Sequence, residues 1–200
     1  MKLKLLHYYQ FLKKAYLGEN REYGFTLIEL LLSLAIMSIV FLSFHSLLEF
    51  TLATYKMGDE MDELLTSGQY AMEYIKKEIR QAEEIISIDK MGNLKYKYPK
   101  NIGFVIMRYY PNATEKYNYS TYYLKNNNIY RIAENKITDG YPTFSGKDGH
   151  NIVAQYVVSM EGTNINYENK ILDLNFILKK ESGREMNFKS KVFIRCPIIH

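Results

Sequence analysis

The residues with the clearest potential for chemistry lie near the start of the chain, where Thr26 and Glu29 precede a long apolar run. Between Phe25 and Phe44, Glu29 is the only ionisable side chain. The spacing Thr26-x-x-Glu29 is that of a capping box, in which the two residues exchange side-chain to backbone hydrogen bonds at a helix start, and Phe25 and Leu30 have the spacing of a hydrophobic staple. A carboxylate is costly to bury in lipid, so its place at the head of an apolar helix also indicates a function beyond capping.

The apolar run that positions these residues is long enough to cross a membrane. A helix of about 20 residues spans the roughly 30 Å hydrocarbon core of a bilayer. After it, apolar residues recur at steps of three and four, a spacing typical of an amphipathic helix that packs on a folded domain. No proline occurs between Phe25 and Tyr98, so the sequence predicts one helix from about residue 26 to about residue 87. The residues of the apolar stripe are Met57, Met61, Leu64, Gly68, Met72, Ile75, Ile79, Ala82 and Ile86.

The rest of the chain has the pattern of strands and turns. About six strands are predicted, over residues 102–110, 119–125, 128–133, 151–160, 171–179 and 187–195. Asn126 and Asn127 separate two of them and favour a tight hairpin turn, because asparagine tolerates positive φ. Residues 138–150 are rich in Gly, Pro, Asp and Ser and predict a surface loop. The predicted fold is α+β, with a long N-terminal helix packed on an antiparallel β-sheet head.

Charge and cysteine content narrow the classes of function. The net charge is +4, but residues 1–24 contribute 5 − 2 = +3 and the remainder only 21 − 20 = +1. Without its first 24 residues the chain has no global basic field for nucleic acid. Its one cysteine, Cys196, excludes an internal disulfide and is interpreted as a small buried hydrophobe.

The segment Gly24-Phe25-Thr26-Leu27-Ile28-Glu29 and its apolar continuation resemble the class III signal motif of type IV prepilins and pseudopilins. The resemblance implies that a prepilin peptidase cuts between Gly24 and Phe25 and that the new amino terminus at Phe25 is methylated. It also implies that Glu29 of an incoming subunit pairs with the Phe25 amine of its neighbour. Capping by Thr26 is the simpler account of Glu29, and the two accounts can coexist.

This resemblance implies an organisation into four parts. Residues 1–24 are expected to be a cytoplasmic leader removed by the peptidase, 25–50 the transmembrane half of the helix, 51–87 its amphipathic half and 88–200 the β head. The basic leader predicts a cytoplasmic N-terminus, with the head outside the membrane, on the cell surface or in a periplasmic filament. The expected partners are the peptidase, other pilin or pseudopilin subunits, an inner-membrane assembly platform and membrane lipid.

The later pattern of long helix, hairpin and final strand pair resembles J-type pseudopilins, W-type minor pilins and the F-type competence pseudopilin. Major pilins of the family often carry a C-terminal disulfide loop, which this chain lacks. The expected function is therefore that of a minor pilin or pseudopilin in a type IV pilus, a type II secretion filament or a competence filament, with a priming or tip role.

Two membrane alternatives compete with this interpretation. Residues 1–24 and the apolar run could be an ordinary secretory signal, although the run is long and lacks a clear A-x-A site. The chain could also be an unprocessed single-pass anchor whose head binds a sugar or DNA. Clustered tyrosines would then offer stacking surfaces, whereas half-buried strand faces explain them more simply. These tyrosines are Tyr109, Tyr110, Tyr117, Tyr119, Tyr122, Tyr123 and Tyr130.

An enzyme has little support in the sequence, and no catalytic residue, cofactor or metal is predicted. The four histidines are scattered, without metal-ligand spacing or a nucleophile triad. The segment 145–148, Ser-Gly-Lys-Asp, departs from a phosphate loop at its last position and at Tyr141. Asp139, Asp148 and Asn151 lack a calcium loop with a closing glutamate.

Overall fold

The computed structural model describes residues 24–92, 94–145 and 149–200. The predicted leader, residues 1–24, therefore lies outside the described residues except for Gly24. The chain divides into two units between Ala53 and Thr54.

The long helix α1 runs from Leu27 to Arg80. Within the described residues it is the one helix long and apolar enough to cross a membrane. Up to Ala53 its side chains are exposed on every side, which is the distribution expected of a helix whose solvent is lipid. The predicted long N-terminal helix is confirmed.

The head is built mainly of strands, with a 3-10 turn at Ile88–Lys90 and a short helix α2 at Leu94–Lys97. The strands are β1 (Glu84–Ser87), β2 (Phe104–Tyr109), β3 (Tyr117–Lys125), β4 (Asn128–Lys136), β5 (His150–Ala154), β6 (Val157–Ser159), β7 (Asn164–Asn166), β8 (Ile171–Lys179), β9 (Glu185–Phe193) and β10 (Ile198–Ile199).

These strands form two sheets. The first has the order β10-β1-β2-β3-β4-β5, and all its pairs are antiparallel except β1 with β10. In the second sheet, β6 and β7 pair with one edge of β8 and β9 pairs with the other. The α+β fold class with an antiparallel head is confirmed, with one parallel pair added.

The main core lies where one face of α1 meets both sheets. Leu64, Ala71, Met72, Ile75 and Ile79 of α1 are buried there together with alternate residues of β2, β3 and β8. The apolar stripe is buried only from Leu64 onward; Met57 and Met61, which precede it, are 49% and 37% exposed.

Gly68 continues this buried face for a steric reason. A Cβ at this position would lie 2.3 Å from the ring of Phe188 in β9, well inside van der Waals contact. The absence of a side chain thus lets the Phe188 ring lie against the helix backbone.

A second core lies on the opposite face of the first sheet. Val105, Tyr119 and Ile132 are buried there against Leu94 of α2 and against Phe144. The first sheet is therefore covered on both faces, which accounts for the nearly continuous burial along β2 and β3.

Two predicted features match their elements closely. Asn126 and Asn127 adopt φ of 49° and 57°, and Lys125 pairs with Asn128 across the turn, as a type I′ hairpin requires. Strand β8 occupies the predicted residues 171–179 and alternates buried and half-buried side chains along its length.

The predicted helix end at residue 87 is wrong. α1 ends at Arg80, and residues 84–87 form β1. Ile85 and Ile86 are both fully buried, but in different cores on opposite faces of the first sheet. Only the two-residue period of a strand sends neighbouring side chains to opposite faces, so tertiary packing overrides the helical spacing of Ala82 and Ile86.

The predicted strand over residues 151–160 is also wrong as a single element. It divides into β5 and β6, which belong to different sheets, at Tyr156, whose φ is 64°. The turn is held by Ser67 of α1, whose hydroxyl accepts from the Gln155 N–H at 2.9 Å.

The predicted surface loop at 138–150 contains a buried anchor. Phe144 is fully buried in the second core, and its carbonyl accepts from Lys97 at 2.7 Å. Residues 146–148 of this loop, including most of the phosphate-loop-like segment, lie outside the described residues.

Candidate functional site

The start of α1 has the hydrogen bonds of a capping box. The Thr26 N–H and hydroxyl both donate to Oε2 of Glu29, at 2.9 and 2.8 Å, and the Glu29 N–H donates to the Thr26 hydroxyl at 3.3 Å. The Thr26 carbonyl accepts the first helical bond, from Leu30 at 3.1 Å. Local sequence alone is enough to form this arrangement, because all the partners lie within one turn.

The residues before the cap are accessible. The Phe25 side chain is 84% exposed, and a Cβ added to Gly24 would meet nothing within 4 Å. Both bonds that Thr26 gives to Glu29 end on Oε2, so Oε1 accepts no hydrogen bond from the described residues. The cap thus leaves half of the carboxylate available to another donor.

Polar side chains farther along the apolar run bond to the helix itself. Ser33, Ser38, Ser43 and Thr51 each donate to a backbone carbonyl three or four residues earlier, at 2.7 to 2.9 Å. Because these hydroxyls are satisfied locally, they can enter hydrocarbon without leaving an unpaired donor. The segment therefore suits a lipid environment despite its serines.

An accessible, capped helix start followed by a helix long and apolar enough to cross a membrane is typical of a membrane-anchored protein. A family model of the prokaryotic N-terminal methylation motif matches residues 20–44. This motif is the class III signal peptide of type IV pilins, and its presence supports a type IV pilin-like protein. The motif implies processing by a prepilin peptidase and assembly with other pilins. Comparison with curated proteins and with solved structures gave no match.

A second constellation, which sequence reasoning missed, lies inside the head around Glu78 of α1. Oε1 of Glu78 accepts a hydrogen bond from Arg131 Nε at 3.0 Å and forms ion pairs with Arg131 Nη2 and with Arg108 Nη2, each at 2.9 Å. Oε2 accepts from the Ser120 hydroxyl at 3.0 Å and from the Tyr122 hydroxyl. We call these five residues the Glu78 cluster.

Sheet register brings the Glu78 cluster together. Tyr122 lies opposite Arg131, and Ser120, two residues earlier on β3, shares its face. Arg108 extends this face on β2, where it lies opposite Asn118. Glu78 falls three residues after Ile75 on the buried side of α1, so the helix aims its carboxylate at three adjacent strands.

Burial and pairing act in opposite directions on the titration of this cluster. Burial by itself raises the pKa of the Glu78 carboxyl, but hydrogen bonds and charge from Arg131, with Tyr122 and Arg108, outweigh it and lower that pKa. Burial, reinforced by the Glu78 charge, raises the pKa of Tyr122 well above its usual value. Glu78 is therefore ionised, and Tyr122 neutral, across the physiological pH range.

Signals for this cluster were present in the sequence. Glu78 interrupts the helical stripe at a core position, while Arg108 and Arg131 interrupt two apolar strands. Charges at buried positions on separate elements indicate mutual pairing, although which acid meets which base depends on the fold.

The other candidate residues are dispersed. Of the clustered tyrosines, Tyr119, Tyr122 and Tyr123 are buried and cannot stack on a ligand, whereas Tyr109 and Tyr110 are about two-fifths exposed. His150 stacks on Tyr123 and Tyr130, and His200 stacks on Tyr167. Within the described residues no group of His, Cys, Asp and Glu is arranged to hold a metal ion.

The single cysteine does not have the surroundings of a reactive thiol. Cys196 is partly buried against the main core, and burial raises the pKa of its thiol. A raised pKa lowers the fraction of nucleophilic thiolate at neutral pH.

Proposed function

We propose that this chain is a minor pilin or pseudopilin, a structural and non-enzymatic subunit of a type IV pilus or of a type II secretion or competence filament. The observation that carries the proposal is the methylation motif at residues 20–44, joined directly to an apolar helix that starts at Leu27. The single cysteine, which excludes the disulfide loop common in major pilins, supports a minor subunit with a priming or tip role.

The proposed processing follows from the chemistry of the Gly24–Phe25 peptide bond. The peptidase hydrolyses this bond, and the resulting α-amine of Phe25 is then methylated. The amine is positively charged at neutral pH, given an ordinary pKa of about 8. It pairs with Glu29 of an adjoining subunit in the filament, and the Oε1 atom left free by the cap is the natural acceptor.

The proposed topology places one helix across the membrane. The net charge of +3 on residues 1–24 keeps that end in the cytoplasm, and the head lies on the far side. Before assembly the subunit is stored in the membrane by residues 25–50. An inner-membrane assembly platform would then transfer it into the filament beside other pilin or pseudopilin subunits.

The test is to express the full chain with and without a prepilin peptidase and to determine the mass and amino-terminal sequence of the product. We expect peptidase-dependent loss of residues 1–24 and a methylated Phe25. Gly24→Ala, or a bulkier residue, should leave an uncleaved precursor. The matched control is Gly58→Ala, a glycine of α1 in open space, which should be cleaved normally. A product that still starts at Met1 would favour the unprocessed membrane-anchored binding protein instead.

A further inference from the structure

Among the strands that the structure describes, β9 pairs with β8 alone, so its outer edge is free of described partners along its whole length. Just beyond the two ends of β9, the Ile194 N–H donates to the Lys170 carbonyl at 2.8 Å and the Lys180 N–H donates to the Arg184 carbonyl at 2.9 Å. Residues that exchange backbone hydrogen bonds alternate along an antiparallel ladder. In the register of β8 with β9, the even-numbered residues of β9 therefore direct their N–H and C=O groups toward β8. The groups of Glu185, Asn187, Lys189, Lys191 and Phe193 point away from β8. Among the described residues they make no backbone hydrogen bond.

A groove between β9 and α1 runs beside this edge. One cavity of about 290 Å³ lies between Met72 and Lys76 of α1 and Lys189 of β9. A second, of about 280 Å³, lies between Arg80 of α1 and Lys191. A strand paired with β9 would place alternate side chains over these two cavities.

The charge along the groove is strongly one-sided. The residues that line the two cavities include five basic residues, Lys76, Arg80, Lys189, Lys191 and Arg195, against one acidic residue, Glu73. Glu73 is already paired with Lys76 at 2.8 Å, and Asp173 lies 3.6 Å from Lys191 across the sheet. The surplus positive charge favours an acidic occupant.

The same charges argue against occupants from this chain. A second copy pairing β9 with β9 in antiparallel register about the centre of the strand would set Lys189 against the same lysine of the other copy, and like charges directly opposite are destabilising. Residues 1–24 carry a net charge of +3 and do not match the groove.

We propose that the free edge of β9 is a docking site for an extended acidic segment of another protein, which binds by adding a strand to the second sheet. The partner exchanges backbone hydrogen bonds with the five odd-numbered residues, its acidic side chains meet Lys189 and Lys191, and Phe193, 63% exposed, offers an apolar contact at one end. This surface is separate from the apolar helix through which filament assembly is proposed, so each can fail independently.

Hydrogen exchange on the full chain in detergent micelles tests the proposal. The probe is a synthetic nonapeptide of alternating valine and glutamate, and the control is the same peptide with lysine for glutamate. Without peptide, the odd-numbered amides of β9 should exchange quickly and the even-numbered ones slowly. The acidic peptide should slow the odd-numbered amides at least about tenfold, as new backbone hydrogen bonds form. Odd-numbered amides that are already protected, or equal binding of the lysine peptide, would overturn the proposal.

Two variants at one position separate charge from backbone pairing. Lys189→Ala removes the side-chain charge and keeps the backbone N–H, and it should weaken binding of the acidic peptide roughly threefold. Lys189→Pro also removes the outward N–H, which a free edge tolerates, and should weaken binding about tenfold more. Retained protection of the even-numbered amides shows that the variant is folded. Equal affinities of the two variants for the acidic peptide would refute strand addition.

Discussion

Replacing Glu78 with glutamine should destabilise the head strongly, because it removes the one negative charge on which two guanidinium groups converge. Glu78 is 4% exposed, and the side chains of Arg131 and Arg108 are 10% and 16% exposed. Glutamine preserves the shape and one acceptor oxygen. It leaves Arg108 and Arg131 as neighbouring, largely buried cations without a counter-charge.

The magnitude follows from the cost of breaking a buried ion cluster. Removing one partner of such a cluster typically costs about 3–5 kcal/mol. Both arginines keep some access to water, so we expect the lower end, about 3 kcal/mol. That is a large share of the roughly 5–15 kcal/mol by which single domains are stable. With an m-value of about 1–3 kcal/mol per M in urea, the unfolding midpoint should fall by roughly 1–3 M.

The assay is urea unfolding of the full chain in a mild detergent, followed by near-ultraviolet circular dichroism of tyrosine. The chain has 19 tyrosines and no tryptophan, and Tyr122 of the cluster reports directly on the packing. Glu73→Gln is the matched control on the same helix. Glu73 pairs with Lys76 on the surface, so its loss should be several times smaller.

A further variant separates pairing from packing. Leucine at all three charged positions, Glu78, Arg108 and Arg131, removes every buried charge together and should recover most of the stability that Glu78→Gln loses. If Glu78→Gln costs less than about 1 kcal/mol, or no more than Glu73→Gln, the ion cluster does not hold helix and sheet together and the reasoning fails.

Three other predictions concern pH, packing and assembly. Because pairing lowers the pKa of Glu78 in the folded state, its contribution is complete above the ordinary carboxyl pKa of about 4.3; acid titration of the urea midpoint should show it lost below about pH 4, and in Glu78→Gln this step should vanish. Gly68→Ala should cost about 1 kcal/mol, since displacing the Phe188 ring outweighs the gain in helix propensity, whereas Gly58→Ala should be neutral or stabilising by up to about 1 kcal/mol in thermal unfolding; equal effects would contradict the close approach. Glu29→Val should be cleaved but enter filaments poorly, and Glu29→Gln, which can still cap the helix, should show the same defect in a filament-shearing assay; normal incorporation of the glutamine variant would leave capping as the only role of Glu29.

Local sequence carried most of the information about the start of α1. The Thr26–Glu29 spacing and the apolar run are contiguous, and every hydrogen bond of the cap joins residues three apart. The β3–β4 hairpin was predictable for the same reason, because two asparagines satisfy the turn without help from the rest of the chain.

The predictions that failed each depended on distant partners. The helix ends at Arg80 because Ile85 and Ile86 are buried in two different cores. Phe144 belongs to the predicted surface loop, but its side chain is buried because it packs in the second core. Periodicity within a segment cannot reveal a core assembled from residues far apart in the chain.

The sequence by itself determined the apolar helix that is long enough to cross a membrane, its cap and the methylation motif, since these depend on neighbouring residues. Only the tertiary structure decided the Glu78 cluster and the free edge of β9. Glu78 and Arg131 are 53 residues apart, and their meeting depends on the register of three strands beneath one face of the helix. Among the described residues β9 is the last strand of its sheet, because it pairs with β8 alone while β6 and β7 occupy the other side of β8. Pairing energies across the whole sheet select this order of strands, and no single segment encodes it.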